Sequence, residues 1–284
     1  MDDSFDLSFI VDIVNNMYVL SIFIILCLYS FFVILNDNDI TILEFGFVIM
    51  KLQFMSDLHL ETYKNPFPIE PCAPNLALIG DICYAHHKNL IPFLKKCSES
   101  YENVIYVPGN HEYYGYTLHE IESYLEELCL ELNIHYLQCK RYMIDDVLIS
   151  GCTLWSPPTK AAFDTKNKRY WLKDFTQEQM INEYEKHCIF LEESLKIPNK
   201  QLFLTHYAPL IRMNGIYQHW ESVSMFASEL KHLFTPPLTT WLCGHVHQNL
   251  TLSENNIPCI SNCFGYPHEL NIHESFDLHK YIEV

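Results

Sequence analysis

Beyond residue 50, short apolar runs alternate with longer stretches that have the period of a helix. Each run is rich in apolar, β-branched or aromatic residues and stops at a side chain that can bind a metal ion, which is typical of buried strands that end at a functional edge. The runs are LQFMS before Asp57, LALIG before Asp81, VIYVPG before Asn110, QLFLT before His206 and TTWLCG before His245.

The stretches between these runs predict helices over Lys88 to Cys97, Thr117 to Leu132, Thr176 to Lys196 and Ser222 to Leu233. Further strands are predicted over Val147 to Leu154, Asn249 to Leu252 and Ile257 to Ser261, which favours two sheets. This order of elements predicts an α/β fold in which ligands gather at the carboxyl ends of strands. We expect one catalytic domain over residues 50–284.

The first 49 residues form a separate hydrophobic segment. Met17 to Leu35 is uncharged and apolar over a length that spans a bilayer, so it is a candidate membrane anchor. The first basic residue is Lys51, which would place the rest of the chain in the cytoplasm. In an alternative interpretation Met50 is the natural start of the enzyme and residues 1–49 are a dispensable extension.

Charge and cysteine content narrow the class of protein. A net charge of −17 with 18 Lys and Arg is a poor match for a nucleic-acid partner, so bound cations would have to supply any positive field around a phosphate. The 11 cysteines include no pair at the spacing of a zinc knuckle or a redox motif. This cysteine usage favours a reducing compartment and a cytoplasmic catalytic domain.

The residues at the strand ends are of the types that hold metal ions. Asp57 and His59 are separated by one residue, so in an extended chain they would point to the same side. Asp81 follows a glycine and offers two oxygens that can bridge two cations. Asn110 offers a neutral oxygen, and His111 beside it is a titratable acid.

Three more histidines end the last two runs. His206 alone would more often be a core histidine than a ligand, and it gains weight only from the other motifs. His245 and His247 repeat the spacing of Asp57 and His59 at another strand end. Imidazole ligands suit zinc, iron and manganese better than calcium.

Taken together, these motifs resemble the calcineurin-like metallophosphoesterase superfamily, whose pattern is D-x-H, G-D, G-N-H-[ED], H and G-H-x-H. The resemblance spans about residues 50 to 265. Within the superfamily, SDLHLE, GCTLWS, THYAP and GHVHQN look like a prokaryotic-type phosphoesterase branch. The late SNCFGY resembles that branch's N-P-x-G-Y, with Cys263 where proline is usual.

The resemblance implies a four-layer αββα sandwich with two divalent or transition metal ions, of which Mn, Fe or Zn are expected. Asp57, His59, Asp81 and His247 would hold the first ion. Asp81, Asn110, His206 and His245 would hold the second, with Asp81 as the bridge.

The chemistry expected of such a site is hydrolysis of a phosphate ester by a hydroxide that bridges the two metals. His111 is the candidate to protonate the leaving oxygen or to bind a non-bridging oxygen. A carboxylate such as Asp57 would orient His111.

A small phosphodiester or nucleotide is the expected substrate. Asp81 is followed by ICYAHH and not by the V-D-R-G of protein phosphatases, and the acidic chain does not favour a nuclease. Aromatic residues near the motifs line the pocket or belong to the core: Tyr113, Tyr114, Trp155, Tyr207 and Tyr266. The alternatives are a non-catalytic metal-binding scaffold and a membrane-anchored enzyme that acts on lipid-linked phosphates.

Overall fold

The computed structural model describes residues 31–36, 39–44, 49–166 and 172–284. Near the N-terminus, strands β1 (Phe31–Asn36) and β2 (Asp39–Glu44) pair antiparallel. Residues 17–30 of the predicted anchor Met17 to Leu35 lie outside the described residues, and its last five residues belong to β1, which begins at Phe31. The anchor therefore stays a prediction. No helix in the described part of the chain has the length and hydropathy to cross a membrane.

Residues Met50–Val284 form one compact unit that contains two sheets. The five-stranded sheet has the order β13-β3-β4-β5-β6. Strands β3 to β6 run parallel, and β13 pairs antiparallel with β3 at one edge. Its strands are β3 (Lys51–Met55), β4 (Asn75–Ile79), β5 (Asn103–Val107), β6 (His135–Tyr136) and β13 (Tyr281–Glu283).

The six-stranded sheet has the order β11-β12-β10-β9-β8-β7. Its four inner strands are parallel, and β7 and β11 pair antiparallel at the two edges. Its strands are β7 (Lys140–Ile144), β8 (Val147–Cys152), β9 (Lys200–Thr205), β10 (Leu238–Cys243), β11 (Thr251–Glu254) and β12 (Ile257–Ser261).

Alternation along the strands divides the core into layers. Leu52 and Phe54 of one sheet pack with Leu204 of the other in a single buried cluster between the sheets. The alternate faces carry residues such as Leu76, which belongs to the same cluster as Leu94 of a covering helix. The result is the α/β fold with helices outside two sheets, which confirms the expected αββα sandwich.

The helices are α1 (Leu90–Ser100), α2 (Leu118–Glu131), α3 (Lys160–Lys166), α4 (Gln177–Leu195) and α5 (Leu270–Ser275). The predictions for α1, α2 and α4 are confirmed to within a few residues. Capping boxes begin α2 and α4, in which Thr117 and Thr176 accept from the backbone three residues on while Glu120 and Gln179 reach back.

The predicted helix over Ser222 to Leu233 is wrong. The chain forms only short 3₁₀ turns at Val223–Met225 and Lys231–Leu233. Between them the backbone N–H of Ser228 donates to the carbonyl of Ala208, and a similar bond ties Leu230 to the same loop. These donors are therefore taken by the segment after β9 and cannot form helical i to i−4 bonds.

Candidate metal centre

The side chains predicted as metal ligands meet where the carboxyl ends of the two sheets lie together. Three groups have donor atoms within 4.8 Å of one another: Asp57, His59 and His247; His59, Asp81 and His111; and Asp81, His206 and His245. Asn110 joins them, because its Oδ1 lies 3.2 Å from His206 Nε2. The structure thus brings every predicted ligand to one place.

Asp81 lies between the two halves of this centre. Its Oδ1 is 3.2 Å from Nε2 of His206, and its Oδ2 is 3.9 Å from Nε2 of His59. The two carboxylate oxygens therefore face different sets of nitrogen atoms, which is the arrangement that a bridging ligand needs.

Left-handed backbone places several of these side chains. Asp57, His59, Asp81, His245 and His247 all have φ between 45° and 66°. Asp57 and His59 do lie close together, but not for the reason predicted. The prediction assumed an extended chain in which their side chains point to the same side, whereas β3 ends before Asp57 and the chain turns there. Left-handed residues other than glycine cost about 1–3 kcal/mol each and cluster at functional sites.

Gly80 shows how closely the two sheets approach at this edge. Its φ is +76°, and a Cβ there would lie 2.4 Å from Nδ1 of His206 and 2.7 Å from Cα of Gly109. Only glycine satisfies both the conformation and the space. The glycine before Asp81 therefore allows the ligand from the other sheet to pack against this turn.

Outer hydrogen bonds orient the four histidine rings. Nδ1 of His59 faces Glu61 at 3.2 Å, and Nδ1 of His247 faces Glu269 at 2.6 Å. In the same way Nδ1 of His206 faces the carbonyl of Ile79 at 3.0 Å, and Nε2 of His245 faces the carbonyl of Met225 at 3.3 Å. Because each outer partner is an acceptor, the outer nitrogen carries the proton and the other nitrogen presents a lone pair to the centre.

The inward-facing atoms are therefore nearly all acceptors. Nε2 of His59 lies 3.1 Å from Nε2 of His247, which is in turn 3.4 Å from Oδ1 of Asp57. Nε2 of His206 faces oxygens of both Asp81 and Asn110. Acceptors at these separations require a proton or a cation between them, so the donor set fits metal ions. A mixture of imidazole nitrogen and carboxylate or amide oxygen suits Mn, Fe or Zn.

Electrostatics leads to the same conclusion. The side chains of Asp57 and Asp81 are almost fully buried, and in the part of the chain that the structure describes neither pairs with lysine or arginine. Burial raises the pKa of both carboxyls, but neighbouring histidines outweigh it and hold each pKa below its usual range. Burial likewise lowers the pKa of His206, yet Asp81 raises it to about 9. The centre therefore attracts positive charge.

The carboxylate that orients His111 is Glu61, and the expectation that Asp57 does so is wrong. Oε1 of Glu61 lies 3.1 Å from Nδ1 of His111 and also accepts from His59. Asp57 is occupied elsewhere, because both its oxygens accept from the backbone N–H of His245 at 3.0–3.1 Å. Nε2 of His111 is 3.0 Å from the hydroxyl of Tyr266.

The proton on His111 is favoured by its surroundings. Burial lowers the pKa of His111, but the charges of Asp81 and Glu61 outweigh it, so the pKa is raised above its ordinary value. Burial raises the pKa of Glu61, but hydrogen bonds from His111 and His59 lower it to about 2. A charged carboxylate thus supports a protonated imidazole at the centre.

Two further glutamates support the centre. Glu112 accepts from the backbone N–H groups of Asp81, Ile82 and Gly109 at 2.7–3.0 Å. These bonds hold the two turns that contain Asp81 and Asn110. Glu269 holds His247. Sequence reasoning missed Glu61 and Glu269 as functional residues. The motif SDLHLE could have identified Glu61, whereas Glu269 lies 22 residues from His247 without a local signal.

A groove with a cavity volume of about 700 Å³ opens beside the centre. Tyr114, Tyr207 and Tyr266 line it, as does His111. The other two aromatic residues expected near the pocket, Tyr113 and Trp155, are fully buried and pack against each other in the core with ring centroids 5.8 Å apart.

Comparisons with known proteins agree with this geometry. A family model described as calcineurin-like phosphoesterase matches residues 50–249. Uncharacterized protein L509 of Acanthamoeba polyphaga mimivirus is 30% identical over 272 residues, which cover 82% of this chain and 96% of that protein. The crystal structure of phosphopantetheinyl hydrolase from Mycobacterium tuberculosis has a TM-score of 0.65 at 17% identity, and the match covers 83% of this chain and 96% of that chain. At that identity the likeness shows a shared fold.

Proposed function

The chain belongs to the calcineurin-like phosphoesterase family, and we propose that it hydrolyses a small phosphodiester with two divalent metal ions. One observation carries this proposal. Four oriented histidines, two buried carboxylates and one amide oxygen present acceptor atoms to a common centre that, among the described residues, no lysine or arginine neutralises.

Two overlapping sets of ligands would hold the metals. Asp57, His59, Asp81 and His247 form the first set. Asp81, Asn110, His206 and His245 form the second. When bound, the ions would supply charge stabilisation for the phosphoryl oxygens and would lower the pKa of an attacking water.

A side chain of the protein would protonate the leaving oxygen. In hydrolysis, water adds to phosphorus, the P–O bond to the leaving alcohol breaks, and the leaving oxygen takes a proton. We expect His111 to donate that proton from Nε2, because Nδ1 is directed to Glu61 and Nε2 lies beside Tyr266 at the groove. Glu61 is then a positioning residue, because it reaches the substrate only through His111.

A diester is favoured over a monoester by the charge of the groove. A diester carries one negative charge near pH 7, whereas a monoester carries nearly two. The described lining residues of the groove include no lysine or arginine to bind the additional charge, and they include Glu269. A second substituent on phosphorus also has room in the 700 Å³ cavity.

A phosphopantetheinyl ester is a second candidate substrate. The structure from Mycobacterium tuberculosis is described as a phosphopantetheinyl hydrolase. Pantetheine is a long, uncharged arm, and the groove offers amide side chains from Asn214 and Gln248 to such a group. A phosphopantetheinyl ester therefore belongs in the first substrate panel.

The test compares bis(p-nitrophenyl) phosphate with p-nitrophenyl phosphate on the full chain supplied with Mn²⁺. We expect faster hydrolysis of the diester and no turnover in EDTA. Asp81→Asn should lower kcat by at least about 100-fold, because the bridge contributes several kcal/mol of charge stabilisation.

Asp146→Asn is the matched control for this experiment. Asp146 pairs with Lys200 at the surface and has a side chain that is 60% exposed, so its substitution should leave kcat unchanged. Equal losses in both variants, or turnover that persists in EDTA, would overturn the two-metal proposal. No metal-dependent turnover of either ester would instead favour a non-catalytic scaffold.

A further inference from the structure

The groove beside the metal centre has a wall whose chemistry points to one kind of substrate. We infer that this wall binds a long, uncharged and largely apolar arm of the substrate, so that the enzyme selects diesters with a single phosphate over nucleotides that carry further phosphates. The inference rests on the proposed function, because it names the substrate class of that same site.

The wall is built by the chain after β9 that contains the 3₁₀ turns Ile211–Tyr217 and Val223–Met225. Tyr217, Trp220, Val223, Met225 and Phe226 all line the groove. Tyr217 and Trp220 pack on each other with ring centroids 4.4 Å apart. Phe226 stacks on His245 with ring centroids 5.2 Å apart, so the apolar lining of the groove extends to a predicted metal ligand.

A glycine forms the backbone turn at the start of this wall. Within the segment Ile211–Tyr217, Gly215 has φ 54° and ψ −122°, a conformation outside the helical range. A Cβ on Gly215 would lie 2.9 Å from Oε1 of Gln248, which follows the second histidine of the metal motif. The turn at Gly215 therefore packs against Gln248, the residue after His247, and the chain continues from it to Tyr217 and Trp220.

The rim leaves large apolar side chains in water. Trp220 is 53% exposed, and Leu270 of α5 is 66% exposed. Both line the cavity. Exposed apolar surface that is continuous with a polar site is characteristic of a ligand groove, because a ligand that covers it gains the hydrophobic contribution.

The charged groups of the groove do not favour a second phosphate. Among the lining residues that the structure describes, the acidic ones are Asp81 at the centre and Glu269 beside His247, and there is no lysine or arginine. Arg212, which precedes this wall, is directed away and pairs with Glu254 at 2.9 Å. Glu269 is already paired with Nδ1 of His247 at 2.6 Å, so the described lining offers a second phosphate neither a lysine nor an arginine.

Neutral polar groups complete the lining. Asn214 is buried, and its Nδ2 already donates to the carbonyl of Ile211 at 3.0 Å, which leaves Oδ1 as an acceptor. Gln248 likewise donates to its neighbour's carbonyl at 2.7 Å. Such groups bind amides or hydroxyls of an uncharged arm and give little to a phosphate.

The experiment uses a series of alkyl p-nitrophenyl phosphates, from methyl to octyl, with the full chain and Mn²⁺. Each methylene that enters the groove should raise kcat/KM by up to about fourfold, which corresponds to about 0.8 kcal/mol. A hexyl arm that ends in a second phosphate should react at least about tenfold more slowly than the plain hexyl ester.

Two variants locate the effect on the wall. Trp220→Ala should flatten the dependence on chain length, and Leu270→Lys should restore part of the rate for the arm that ends in phosphate. Leu130→Ala is the control, because Leu130 lies on α2, is 80% exposed and does not line the groove. Circular dichroism and Tm identify any variant that fails to fold, in which case the chain-length series of the unaltered protein decides.

The outcomes separate the inference from the proposed function. If no ester of the series shows metal-dependent turnover, the proposed function fails. If the methyl ester is hydrolysed but kcat/KM is constant along the series, or is higher for the arm that ends in phosphate, the proposed function stands and the inference is overturned.

Discussion

Replacing Glu61 tests whether one carboxylate holds two histidines of the centre. Its Oε1 accepts from Nδ1 of His59 at 3.2 Å and from Nδ1 of His111 at 3.1 Å, and its side chain is only 5% exposed. Glu61→Gln keeps an acceptor of the same shape and removes the charge, whereas Glu61→Ala removes both hydrogen bonds.

The size of the effect follows from the two bonds. A hydrogen bond to a charged group contributes about 1.5–3 kcal/mol and a neutral one about 0.5–1.5 kcal/mol, so loss of the charge should cost about 1 kcal/mol per histidine. For the two histidines together this corresponds to about a 30-fold loss in kcat/KM for Glu61→Gln. Glu61→Ala should lose more.

The assay measures hydrolysis of bis(p-nitrophenyl) phosphate while Mn²⁺ is titrated. Because Glu61 contacts both His59 and His111, we expect a higher Mn²⁺ requirement together with a lower kcat at saturating Mn²⁺. Glu99→Gln is the control, since Glu99 is an exposed residue of α1. Unaltered kcat and Mn²⁺ dependence in Glu61→Ala would refute the positioning role.

Two further predictions concern the packing that supports the centre and the pH dependence of stability. Gly80→Ala should abolish metal-dependent activity because its Cβ would lie 2.4 Å from His206. Gly115 has a similar φ of +86° but nothing within 4 Å of a Cβ, so Gly115→Ala should lower the stability of the protein without lowering its activity. Equal activity of the two variants would contradict the role assigned to the contact with His206. Burial lowers the pKa of His187 to about 3. As the pH falls below about 6.5, His187 therefore becomes protonated in the unfolded chain but stays neutral in the folded chain. The free energy of unfolding should consequently decrease by about 2–3 kcal/mol between pH 6.5 and pH 4.5. Urea titrations at several pH values measure this decrease. His187→Leu should remove it, and His119→Leu, at an exposed position of α2, should not. The same pH dependence of the unfolding free energy in both variants would rule out His187 as the cause.

Much of the fold could be predicted from local patterns. The strands before Asp57, Asp81, Asn110, His206 and His245 are buried, so their apolar runs stand out and their polar ends mark the edge of the sheets. The helices that begin with capping boxes carry their start signals in a few adjacent residues. Such signals do not depend on the rest of the chain.

Other elements depend on distant partners. The helix predicted over Ser222 to Leu233 is wrong because its backbone donors pair with the loop after β9. Strand β13 lies at an edge and is exposed except for the partly buried Ile282, so its short run YIE carries little hydrophobic signal. It is a strand because it pairs with β3, about 230 residues earlier in the chain.

The sequence by itself determined the family, the layered α/β fold and the set of residues that meet at the centre, because ligand types at the ends of buried strands are local features. Only the tertiary structure decided which atoms of those residues face one another. The outer partners of the histidines are Glu61, Glu269 and the carbonyls of Ile79 and Met225. Three of these lie 20, 22 and 127 residues along the chain from the rings they orient, and only Glu61 is close to its ring in sequence. The orientation of a histidine ring is set by hydrogen bonds to residues that are mostly distant in sequence, so it cannot be predicted from the pattern of residues along the chain.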